Sequence, residues 1–270
     1  MSGNSRNTPG STIAFSFGPA PISADATRLS FLRATLAAAL DLGIRFVDLT
    51  ESPSPEAAAA VTRLASGGRW PSLSLFVADR PDATADESPA PGPTVVRLRP
   101  AGEDPEGPPG DPQREEGVRF PDLESAERFA SLEVRRGAQW ISFPGSLIDA
   151  RRVAALVGTV RTEGARVLVT NPLAGGRLGG PGELFSSSTP TGAPTPYAAL
   201  ERAYAPVLRL GFLTAGRGRT LPQAAVAFVV AVGAVPSVRF TDVRQLAAFG
   251  DVTKLPPIVP ADLARLLESA

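Results

Sequence analysis

The segment Ala39 to Glu51 reads ALDLGIRFVDLTE. An Ala/Leu-rich helical pattern runs into Gly43, a residue able to close a helix in the left-handed conformation. A short apolar run, Ile44 to Val47, then stops at Asp48. The order is helix, turn, buried strand, and a carboxylate at the strand's carboxyl end. It recurs along the chain. Strand patterns fall at Ser11–Gly18, Ser72–Ala78, Val95–Leu98, Gly117–Phe120, Trp140–Phe143, Arg166–Thr170 and Val235–Val238. Helical patterns cover Ser23–Leu42, with Leu29, Leu32, Leu36 and Leu40 at helical spacing, and a segment opened by Ser54-Pro55-Glu56 that runs through Leu64. Further helices are predicted over Asp122–Arg135, Asp149–Glu163, Pro196–Gly211, Leu221–Val232, Asp242–Phe249 and Pro260–Ala270. Strands alternating with helices imply an α/β fold with a parallel sheet and right-handed crossovers. About eight such units in 270 residues favour a closed (β/α)8 TIM barrel over an open sheet.

One domain spanning 1–270 is expected. Residues 1–11 read as a flexible N-terminus, and 81–93, 100–116 and 182–195 as irregular loops rich in Pro, Gly, Ser or acidic residues, the last a flap. No apolar run is long enough to span a bilayer, and Met1 to Ser11 lacks the apolar segment of a signal peptide, so a cytoplasmic location is the expectation. Positive and negative charges balance at 27 each. The balance predicts neither a nucleic-acid footprint nor a membrane surface, and leaves a small molecule as the expected partner and a monomer as the default state. Cysteine is absent, which excludes disulfides and thiolate chemistry.

Histidine is absent too, Lys254 is the only lysine, and the only tyrosines are Tyr197 and Tyr204. Any general base is therefore a carboxylate, a tyrosine or a water, and a histidine-dependent zinc site or catalytic triad is excluded; no metal is expected. In a parallel barrel the strands' carboxyl ends face the active site, which nominates Asp48, Glu51, Asp79 and Arg99 as catalytic candidates, with Arg80, Arg97 and Arg119 near neighbouring strand ends. A carboxylate beside arginines can abstract or relay a proton while guanidinium groups stabilise an enolate or bind an anionic substrate. The same charges also fit a solvated rim of ion pairs, and Asp48 alone fits a helix cap or a partner for Arg45. Trp140 fits core packing or a substrate platform. Tyr197 and Tyr204, seven apart on one helix face, fit packing or a swing into the pocket. The glycines of Asn171 to Gly180 (NPLAGGRLGG) could cradle a phosphate, although no lysine follows them.

Several segments together resemble the aldo-keto reductases. Leu40 to Asp48 (LDLGIRFVD) resembles that family's second-strand signature, Ile141 to Asp149 (ISFPGSLID) its sixth-strand segment, and Arg166 to Gly176 (RVLVTNPLAGG) its seventh strand and following loop. Thr220 to Phe228 (TLPQAAVAF) is similar to its seventh barrel helix, and Ser237 to Phe249 to its last strand and cofactor loop. The resemblance implies NADPH-dependent carbonyl reduction by a tyrosine tuned by a lysine and an aspartate, with a histidine orienting the carbonyl. Asp48 fills the aspartate position, whereas Pro53 falls at the tyrosine, Asp79 or a neighbour at the lysine, and Leu98, next to Arg99, at the histidine.

The cofactor groove departs as well. The family's Ser-Asn pair is contracted around Arg119, its glutamine becomes Ser142 and its stacking tyrosine Thr170. If NADPH binds, the resemblance assigns it Leu173, Gly175, Arg239 and Gln245, with Phe249 where an asparagine is usual. The third barrel helix is read as missing, because 81–93 is short and proline-rich. Arg119, Trp140, Ser142, Thr170 and Asn171 are then the substrate-binding candidates. Three functions remain open: a cofactor-independent isomerase, lyase or cyclase acting on a small metabolite, an NADPH-dependent reductase with atypical residues, and a non-catalytic binding or regulatory subunit.

Overall fold

A computed structural model describes residues 14–17, 34–39, 41, 44–50, 74–78, 94–102, 114–179, 205–240, 249 and 257–269. Eight strands pair in chain order: β1 (Ala14–Phe17), β2 (Phe46–Asp48), β3 (Ser74–Ala78), β4 (Thr94–Pro100), β5 (Arg114–Arg119), β6 (Trp140–Pro144), β7 (Arg166–Thr170) and β8 (Val235–Phe240). Every pair is parallel, and β8 closes on β1 to complete a barrel. Following the paired residues once round from β2 returns to that strand eight residues before the start. Eight strands with a stagger of eight is the geometry of the TIM barrel.

Strand alternation then decides which side chains fill the interior. Phe46, Phe76, Val96, Leu98, Trp140, Leu168 and Val235 pack together at its middle. Trp140 meets Phe76 edge to face at 4.8 Å and Phe46 at 6.0 Å, and Phe46 stacks on Phe76 at 5.8 Å. Gly117 gives the indole its room, because a Cβ there would lie 2.7 Å from both Trp140 Cβ and the Trp140 carbonyl and 2.5 Å from Leu98 Cδ2. At the amino end of the barrel the Trp140 indole N–H donates to Glu115 Oε2 at 2.6 Å. Arg166 pairs with the same oxygen and lays its guanidinium 4.4 Å from the indole. These contacts form a polar floor.

Among the described residues the outward faces of the strands meet α1 (Leu123–Arg135), α2 (Ala150–Thr162) and α3 (Leu221–Ala231), and α4 (Pro260–Ser269) packs against α2. In α1 the buried positions Leu123, Ala126, Ala130 and Glu133 follow helical spacing. Its N-cap, Asp122, accepts the Ser125 N–H at 2.7 Å, a bond that holds its carboxyl below the usual carboxylate range. Thr220 and Gln223 form a reciprocal capping box on α3, with proline in its first turn. Val118, Ile141, Phe143, Val167 and Val169 from the strands join these helices in one core.

Most predicted elements are present, with shifted ends. β2 includes Asp48 as its last residue, and α2 follows a 3-10 turn, Leu147–Asp149. Residues 205–208 are helical as expected, but the segment then tightens into a 3-10 turn, Arg209–Leu213. The irregular loop expected over 100–116 is corrected at both ends, because Pro100 closes β4 and Arg114, Glu115 and Glu116 open β5. Polar composition suggested a loop there. Ladder pairing to Val95–Arg97 and the partners that Glu115 finds in the floor outweigh that composition. The expected N-terminal segment, the 81–93 and 182–195 loops, the missing third helix and the 54–64 helix lie outside the described residues, as does 242–249 apart from Phe249. Gly117→Ala is expected to destabilise the barrel by about 1–3 kcal/mol, since the colliding atoms include backbone; urea unfolding measures it.

Candidate active site at the strand ends

Above the aromatic layer the interior turns polar. Asp48 on β2, Arg119 on β5, Ser142 on β6, Thr170 on β7 and Ser237 on β8 share the inward alternation of the residues beneath them. Asp48 is 3% exposed, so its charge needs partners. Oδ1 accepts the Thr50 N–H at 3.0 Å and the Thr50 hydroxyl at 2.6 Å, and Oδ2 accepts the Ser237 hydroxyl at 2.5 Å. The last bond reaches over β1 and ties the second strand to the eighth. All three are donated to the carboxylate oxygens.

Arg119 leaves the end of β5 and donates from Nη1 to the Thr50 carbonyl at 3.2 Å. A permanent cation is thereby fixed between two strands that are not neighbours, beside the turn that grips Asp48. Ser142 is fully buried in register with Arg119 and Leu168, and its hydroxyl has no hydrogen-bond partner among the described residues. Thr170 is buried at the end of β7, and its carbonyl accepts the Gly145 N–H at 3.0 Å.

Beyond Thr170 the chain turns through residues 171–179, with positive φ at Asn171 (55°), Ala174 (53°), Gly175 (65°) and Gly176 (90°). Asn171 Oδ1 accepts the Gly175 N–H at 2.6 Å, so both residues shape this loop. Leu173 sends its side chain into the core, and its carbonyl accepts the Gly176 and Leu178 N–H groups. Arg239 is exposed at the end of β8. Among the described residues no group of three or more His, Cys, Asp or Glu could hold a metal ion, and no helix is long and apolar enough to cross a membrane.

Two predicted site residues lie elsewhere. Arg99 was expected at the mouth, but it has the opposite alternation to Leu98 and pairs outside the barrel with the buried Glu133 of α1, whose other oxygen accepts from Arg136 at 3.1 Å. A buried carboxylate on the helix stripe captures the arginine, because neither charge could be left alone there. Trp140 was expected to touch substrate, yet it begins β6 and its polar edge points to the barrel floor. Glu51, Asp79, Gln245, Tyr197 and Tyr204 fall outside the described residues. Thr50 and Ser237 were missed. Thr50 carries a signal, since an aspartate often bonds the backbone two residues on. Ser237 carries none, because Val235–Phe240 offers no alternation to mark its inward face. Ser237→Ala is expected to cost about 1–3 kcal/mol by leaving a buried carboxylate oxygen short of a donor, read as a lower urea midpoint.

Solved structures share this architecture. An aldo-keto reductase from Bacillus halodurans in its apo form superposes with a TM-score of 0.63 at 17% identity, over 96% of this chain and 89% of that one. A glycerol dehydrogenase from Gluconobacter oxydans gives 0.67 at 17% identity, over 97% and 93%. A Bombyx mori aldo-keto reductase in complex with NADP gives 0.52 at 14% identity, over 95% and 88%. The chain therefore has the aldo-keto reductase fold. No protein-family model and no curated protein matches it.

Proposed function

We infer that the chain is a divergent member of the aldo-keto reductase superfamily, a cytoplasmic enzyme whose barrel mouth runs non-redox chemistry on a small metabolite. The observation that carries this reading is the partner set of Asp48. Two hydroxyls and an amide hold that carboxylate, and the nearby cation is an arginine from β5 that grips the Thr50 carbonyl. Carbonyl reduction needs a proton donor of tuned pKa beside the hydride. This sequence has no histidine, one lysine and two tyrosines to build it from.

The residues present suit a nicotinamide poorly. The resemblance expects a lysine, a histidine and a Ser-Asn pair around the nicotinamide, and the matching positions carry Asp79 or a neighbour, Leu98 and Arg119. The same guanidinium suits a substrate carbonyl on which negative charge develops, where a preorganised donor lowers the barrier. Thr50 Oγ can take a proton from a carbon next to that carbonyl as its own proton passes to Asp48 Oδ1. Return of the proton at another atom completes an isomerisation with no change in redox level. A polar set above an apolar layer also favours catalysis by holding one substrate conformer.

The competing reading is an NADPH-dependent reductase with atypical residues, favoured by the fold neighbours, among them a silkworm enzyme complexed with NADPH. Two measurements separate them. A cofactor present at about a hundred times its Kd stabilises a protein by about 2.7 kcal/mol, so NADPH at about 1 mM is expected to leave the melting temperature unchanged here. Incubation with a metabolite extract is expected to yield products isomeric with their substrates, or lighter by a small leaving molecule, without nucleotide. Products that differ by a hydrogen pair and form only with NADPH would establish the reductase instead.

A further inference from the structure

We draw no further inference here: the strongest candidate, the exposed apolar patch of Phe129 and Leu132 on α1, carries nothing, because the flanking Glu127 and Arg136 already pair with Arg152 and Glu133 and nothing in the structure shows what covers it.

Discussion

Closing eight parallel strands on themselves leaves an interior that side chains must fill, and in this barrel one indole governs how it is filled. Trp140 occupies the centre only because β5 offers Gly117 beside it, and it orders Phe46 and Phe76 against its faces. Everything above and below is arranged by that layer. The apolar middle separates a polar floor, where Glu115 and Arg166 meet, from a polar mouth, where Asp48 and Arg119 sit. Water is kept out of the middle, so each set of charges must be satisfied within its own end of the barrel.

The mouth shows how a carboxylate at a strand end is held by its surroundings. A buried aspartate tolerates several partner sets so long as its lone pairs are met. Here hydroxyls from β8 and from the turn after β2 meet them, and the charge that balances the layer arrives from β5. Outside the barrel the same rule moves Arg99 away from chemistry. Glu133 projects from the buried stripe of α1, and the pair forms because each partner would otherwise be an isolated charge in the core.

The architecture was legible because it rests on local patterns repeated many times. Apolar runs of strand length, helices with Leu and Ala at helical spacing, and capping residues such as Asp122 and Thr220 agree with one another, and agreement across levels specifies a fold. The site was legible only where one residue's chemistry needs no register. Asp48 could be placed from its segment alone. Arg99 and Arg119 look alike in sequence, each near a strand's end. Only the inward alternation, visible once Gly117 and Leu98 are known to face each other, separates the arginine of the mouth from the arginine of the helix contact. Glu115 was misread for the opposite reason, since an acidic residue inside a strand makes sense only beside the Arg166 and Trp140 that neutralise it.

The floor built by those three residues bears on traffic as well as on stability. With the indole wedged above an ion pair, the described interior has no passage toward the amino ends of the strands. Whatever enters must therefore back out through the same opening.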